Sequence, residues 1–145
     1  VEPGRALLGP VGAFVVKVLY VKRVHDRSFV VVDGGMNDLL RPALYDAYHR
    51  IVPIEPRQGA RETVDVVGAV CETSDTFGRD RLLVDPRPGD LLAILDAGAY
   101  GYAMSSNYNL RPRPAEVLVD GGEFRIVREA ESTADLLARE LGEDS

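Results

Sequence analysis

Short runs rich in β-branched residues, each closed by a glycine, proline or aspartate turn, constrain this chain more than any other feature. The longest, Ala13 to Val24, alternates Phe14, Val16, Val18, Tyr20 and Lys22 with Val15, Lys17, Leu19 and Val21. Both faces are mostly apolar, so this strand is expected to be covered on both sides. His25-Asp26-Arg27 turns the chain into a second strand, Phe29 to Val32, which enters the turn Asp33-Gly34-Gly35. Glu62 to Val70 is a third strand, Arg79 to Val84 a short one, and Asp90 to Leu95 a further buried one. Ala115 to Val119 and Glu123 to Arg128, joined by Asp120-Gly121-Gly122, read as a hairpin. Ile51 to Arg61 carries Pro53, Pro56 and Gly59 and reads as an exposed loop.

Helical signals are few. Pro42 suits the first position of a short helix, with Arg41 at or near its N-cap. Ser132-x-x-Asp135 caps a final helix, Thr133 to Leu141, whose apolar stripe is Leu136, Leu137 and Leu141 and whose end is Gly142. Ala6 to Gly12 is ambiguous. Several short strands, one or two short helices and many turns argue for a mainly β barrel or sandwich.

The net charge of −6 argues against nonspecific nucleic-acid binding, which needs a basic footprint. Lys17, Lys22 and Asp96 interrupt the apolar stretches before any reaches bilayer-spanning length. The N-terminus carries Glu2 and Arg5 and lacks the apolar core of a signal peptide. One cysteine permits no internal disulfide and fits a reducing compartment, so a cytoplasmic protein is expected. His25 and His49 have no second ligand type at metal spacing, so no metal site is expected. Only two of the 17 cationic residues are lysines, which leaves few candidates for Schiff-base chemistry. The chain opens on Val1-Glu2-Pro3-Gly4-Arg5 without Met, and the expectation is a piece of something longer.

Chemistry concentrates in a few stretches. Cys71-Glu72-Thr73-Ser74-Asp75 crowds a thiol, two carboxylates and two hydroxyls at the mouth of a strand. A lone thiol beside an acid can be a proton donor or a nucleophile, although free cysteine more commonly acts as a small buried hydrophobe. Gly4 lets backbone approach a ligand and Arg5 can fork onto a carboxylate or phosphate; a surface turn with a solvated arginine is the plainer account. Arg41 and Tyr45 share a helix face near an N-terminus, an arrangement suited to an anion such as a carboxylate; a capped surface helix explains the same residues. Gly98 to Asn109 combines small residues with three tyrosines and two asparagines and reads as ligand-facing.

Taken together, Glu2-Pro3-Gly4-Arg5, Val32-Asp33-Gly34-Gly35-Met36-Asn37-Asp38, Arg41-Pro42-Ala43-Leu44-Tyr45, Cys71-Glu72-x-x-Asp75, and Gly98-Ala99-Tyr100-Gly101 with Ser106-Asn107-Tyr108-Asn109 resemble the C-terminal part of the diaminopimelate decarboxylases. That family pairs an alanine-racemase-like (β/α)8 barrel with a β-barrel domain and uses pyridoxal 5'-phosphate (PLP). The resemblance implies that residues 1–12 are the tail end of the (β/α)8 barrel and 13–145 the C-terminal β-barrel domain. It implies decarboxylation of meso-2,6-diaminopimelate to L-lysine and CO2, the last step of lysine biosynthesis, in a homodimer with shared active sites. Cys71 matches the proton donor. Arg5, Arg41, Tyr45, Glu72 and Tyr100 match substrate-binding residues, and Glu2, Pro3, Gly4, Arg5 and Tyr100 match cofactor-binding ones. The family often has glycine where Ser74 stands, which bears on the turn geometry of the Cys-Glu loop. Its Schiff-base lysine lies in the upstream barrel domain, so these 145 residues alone are expected to be inactive. Sister decarboxylases for carboxynorspermidine, ornithine or arginine share the fold, and a non-catalytic dimerisation or binding module is the alternative outside enzymes.

Overall fold

The computed structural model describes residues 3–141 and divides the chain into two compact units, 1–105 and 106–145. The N-terminal turn expected at Pro3-Gly4-Arg5 is the start of a one-turn helix, α1 (Gly4–Leu8), followed by a 3-10 turn, Gly9–Val11. Glu2, and the helix stop at Gly142, lie outside the described residues.

The first unit is built on β1 (Ala13–Val24), β2 (Arg27–Val32), α2 (Arg41–Tyr45), β3 (Ile51–Pro53), β4 (Arg61–Val67), β5 (Thr76–Val84) and β6 (Leu91–Leu95). The strands form one sheet in the order β3-β6-β1-β2-β4-β5. All neighbours are antiparallel except β2 and β4, which are parallel and therefore joined by the long crossover containing α2 and β3. The edge strands β3 and β5 come back toward one another, so the sheet is nearly closed around its core. Val16, Val30, Val32, Val66, Phe77 and Ile94 fill that core, with the Phe14 and Phe77 rings tilted at 55° and 5.9 Å apart. A tilted aromatic pair adds about 1 kcal/mol to the burial of the rings themselves.

Three expectations change. Only one face of β1 is covered: Phe14, Val16 and Val18 point inward, while Val15 is 50% exposed and Leu19 and Lys17 are open. A register shift between Val18 and Tyr20 then exchanges the faces, so Tyr20 is exposed and Val21 packs on the core. Ile51 to Pro53 is not loop but strand, paired with Ile94, Ala93 and Leu92. Proline is tolerated there because β3 is an edge strand. β4 stops at Val67 instead of Val70, because the chain leaves the ladder at Gly68.

The second unit holds β7 (Glu116–Asp120), β8 (Glu123–Arg128) and α3 (Thr133–Leu141). The hairpin closes through Gly121-Gly122, with Gly121 at φ 59° where a side chain would be strained. α3 begins as expected: the Asp135 N–H donates to Ser132 Oγ at 3.1 Å, and the Asp135 carboxylate accepts from the Ser132 N–H at 2.7 Å. Leu136 and Leu137 are half-buried, but Leu141 of the expected stripe is exposed.

Candidate functional site

Two groups of predicted site residues lie in the first unit. One is formed where the N-terminal segment meets the turn after β6. Gly12 and Gly98 approach so closely that a Cβ on Gly98 would sit 2.1 Å from the Leu8 carbonyl oxygen, and one on Gly12 2.4 Å from Gly98 Cα. The Gly98 N–H donates to the Gly9 carbonyl at 3.1 Å. Only glycine permits this contact, and it brings the segment carrying Arg5 beside the turn carrying Tyr100. Tyr100 is half exposed and sits at φ 65°, a backbone conformation that costs a non-glycine residue on the order of 1 kcal/mol.

Arg41 reaches this turn from α2. Its guanidinium carbon lies 5.7 Å from the centre of the Tyr100 ring, and its Nε is buried without a hydrogen-bond partner. A buried donor left unpaired costs roughly 1–3 kcal/mol, so Arg41 is poised for an acceptor. The helix register differs by one from expectation: Leu40 is the N-cap, Arg41 the first helical residue and Pro42 the second. α2 is a single turn, so its dipole adds little, and the side chain carries the anion affinity. Tyr45 is 63% exposed, Arg5 is exposed, and no acidic residue occupies the first turn of α1. A Cβ on Gly4 would meet nothing within 4 Å, so the backbone there is open to an incoming group.

The other group is the loop from Gly68 to Asp75. Cys71 is exposed and makes no hydrogen bond among the described residues, which replaces the buried-hydrophobe account with an accessible thiol. Glu72 is also exposed, and its Oε1 accepts from the Thr73 N–H at 2.9 Å. Asp75, by contrast, is 4% exposed and accepts from the backbone N–H groups of Met36 and Val70, each at 2.7 Å. Ser74 donates to Met36 Sδ at 3.6 Å.

Within the Gly98 to Asn109 stretch, Asn107 bonds inside the protein. In the second unit Asn107 Nδ2 donates to Glu131 Oε2 at 2.5 Å, and Arg113 forms an ion pair with Glu131 Oε1 at 2.8 Å. The Arg113 backbone N–H, with help from Asn107 and the guanidinium, holds the Glu131 carboxyl below the usual carboxylate range. Asn107 is thus committed to internal structure. His49 is buried and its Nδ1–H donates to the Leu95 carbonyl at 2.8 Å, which fixes the tautomer. No cluster of three metal-ligating side chains occurs, and no helix is long and apolar enough to cross a membrane, among the described residues.

Sequence reasoning missed a cleft of about 550 Å³ between α2 and β5, lined by Pro42, Tyr48, Ser74, Thr76, Arg79 and Arg81 among others. The Arg81 guanidinium stacks 4.0 Å over the Tyr48 ring, in space that Gly78 leaves free. Arg41, Tyr45, Tyr100 and Cys71 do not line it. The Arg81 Nε in this cleft, like the Arg41 Nε, is buried without a hydrogen-bond partner. Tyr48 and Arg81 carry no local sequence signal that would pair them. Asp75 did: it closes the Cys-Glu motif.

Comparison with known proteins gives one consistent match. The profile described as "Pyridoxal-dependent decarboxylase, C-terminal sheet domain" matches residues 10–98. The diaminopimelate decarboxylase of Vibrio cholerae is 52% identical over 139 residues, which are 96% of this chain and 33% of that protein. The solved diaminopimelate decarboxylase of Methanocaldococcus jannaschii superposes with a TM-score of 0.90 at 44% identity, over 93% of this chain and 31% of that one. That of Helicobacter pylori, solved with L-lysine, gives a TM-score of 0.88 at 43% identity, over 94% of this chain and 34% of that one. This chain therefore spans about a third of the length of the relatives it matches.

Proposed function

Since the chain belongs to the pyridoxal-dependent decarboxylases, as their C-terminal sheet domain, we propose that the protein containing it decarboxylates meso-2,6-diaminopimelate to L-lysine and CO2. Residues 1–12 are then the tail end of the (β/α)8 barrel, and 13–145 the C-terminal β-barrel domain. The working enzyme is a cytoplasmic homodimer in which Cys71 and Glu72 enter the partner's site. The observation that carries the reading is Arg41, a guanidinium stacked on Tyr100 with a buried Nε awaiting an acceptor.

The residues present fit PLP and a dicarboxylate. Gly4 offers open backbone and Arg5 an exposed guanidinium, donors suited to phosphate, on the turn that Pro3 opens. Glu2 belongs to the same motif. PLP, when bound, supplies the electron sink that allows the α-carboxylate to leave as CO2.

This chain supplies orientation and a proton. Arg41, with Arg5 and Tyr45, holds a substrate carboxylate through charge-assisted hydrogen bonds. Tyr100 packs against the Arg41 guanidinium, limits its rotation and faces cofactor and substrate. Glu72 holds the distal ammonium. Cys71 Sγ–H donates the proton that replaces CO2 at Cα, a role its exposure permits. Ornithine and arginine lack the distal carboxylate and would leave the guanidinium unpaired, a penalty of roughly 1–3 kcal/mol.

The test is the full-length protein, scored for PLP absorbance and for CO2 release from meso-diaminopimelate, ornithine, arginine and carboxynorspermidine. The expected result is PLP absorbance with release from meso-diaminopimelate. Release from another member of the panel moves the assignment to a sister decarboxylase. Absence of PLP absorbance leaves a dimerisation or binding module.

A further inference from the structure

Asp75 is a buried carboxylate that the proposed chemistry does not use, and the whole Cys71 loop is built around it. Its Oδ1 accepts from the Met36 N–H and its Oδ2 from the Val70 N–H, both at 2.7 Å. Its own N–H donates to the Glu72 carbonyl at 3.1 Å, and the Glu72 N–H donates to the Val70 carbonyl at 2.8 Å. The peptide groups on both sides of Cys71 are thus bonded to each other, and the groups just beyond them, the Val70 N–H and the Glu72 carbonyl, are held by Asp75. A second tie, from the Ala69 N–H to the Gly34 carbonyl at 3.0 Å, holds the loop to the Gly34–Asp38 turn. That turn is closed in its own right by the Gly35 N–H donating to Asp38 Oδ2 at 2.9 Å.

The glycines around Asp75 are cut to its shape. A Cβ on Gly68 would lie 2.3 Å from each Asp75 carboxylate oxygen, and one on Gly35 would lie 2.6 Å from Val70 Cγ2. Neither glycine has positive φ, so what they provide is room for the carboxylate and for Val70.

We propose that Asp75 is a positioning residue: clamped between the Met36 and Val70 amides, it sets the direction in which Cys71 and Glu72 leave the sheet, and hence the placement of the proton donor. The inference rests on the reading that Cys71 and Glu72 act on substrate. It assigns a task to the Gly34–Asp38 turn, which meets the loop through the Gly34 carbonyl, the Met36 N–H and the Met36 sulfur.

Two variants of the full-length, PLP-loaded protein test it. In Asp75→Asn one oxygen becomes an NH2 group, so whichever way the amide turns, either Met36 or Val70 faces a donor in place of an acceptor. Gly68→Ala leaves Asp75 intact and displaces its carboxylate. Each variant is read by PLP absorbance, by kcat on meso-diaminopimelate, and by the alkylation rate of Cys71 with iodoacetamide, located by peptide mapping. Both should keep PLP absorbance, lose about 100-fold in kcat, the loss a misplacement of about 1 Å brings, and alkylate faster at Cys71 as the loop loosens. A PLP-loaded variant with wild-type kcat and wild-type alkylation overturns the proposal. If Asp75→Asn does not yield folded enzyme, Gly68→Ala is judged by the same two readouts. If Cys71→Ala itself turns over normally, the catalytic reading has failed, and the alkylation rate alone decides the clamp: faster upholds it, unchanged overturns it.

Discussion

The six-stranded sheet and the β7–β8 hairpin use the same residue types and differ in what covers them. In the sheet, Val30, Val32, Val66 and Ile94 are completely buried. In the hairpin, Val117, Val119, Ile126 and Val127 are all at least half exposed, and Phe124 is 77% exposed. Composition does not separate the two regions; closure does. A nearly closed sheet gives its four inner strands two neighbours each and encloses an inner face, whereas a two-stranded hairpin buries little on its own. The site residues follow the same division. Arg41, Tyr100 and Cys71 project from the unit with its own core, while Asn107, in the other unit, is held by Arg113 and Glu131.

The contrast can be broken most forcefully at two phenylalanines. Phe77→Ala should cost about 3–5 kcal/mol in urea unfolding, because it empties the centre of a packed core. A loss under about 1 kcal/mol would mean that the core collapses around the gap. Arg41→Ala, tested in the full-length enzyme, should raise KM for meso-diaminopimelate roughly 30-fold, the equivalent of about 2 kcal/mol of charged hydrogen bonding. An unchanged KM removes Arg41 from the site. Phe124→Ala should shift the stability of this chain by no more than about 0.5 kcal/mol. A far larger loss in the longer protein would show that the hairpin's apolar faces are covered there.

The smallest effect is electrostatic. Glu131 is held below its ordinary range chiefly by the Arg113 N–H, so its folded value lies under the unfolded one of about 4.3. Its contribution to stability is therefore present above that unfolded value and lost as the pH falls through the lower folded one. Wild type should be more stable than Glu131→Gln near neutral pH, and the gap should close in acid. A gap independent of pH would assign the effect to packing.

Local patterns were legible and long-range ones were not. The bounds of β1, the Gly121-Gly122 hairpin and the Ser132–Asp135 cap were written in neighbouring residues. β3 was read as loop because its partner β6 lies some forty residues away and Pro53 masks the strand signal. The inward face of β1 depends on a register shift against β2 that alternation cannot reveal. The five motifs together pointed to the fold and the family, but not to the geometry inside them. Arg41 meets Tyr100 only through the sheet, and Asp75 serves the loop from beneath. Cys71 showed how a general tendency can mislead: free cysteines are usually buried, and this one is exposed because the loop around it bonds through backbone and Asp75.

The most direct test of the account is the turnover of Cys71→Ala in the full-length, PLP-loaded protein with meso-diaminopimelate as substrate. Wild-type PLP absorbance with kcat lower by about 10²–10⁴-fold, the usual worth of a positioned acid, is the predicted result. Near-normal kcat with PLP bound would contradict it and assign the proton to another acid or to water.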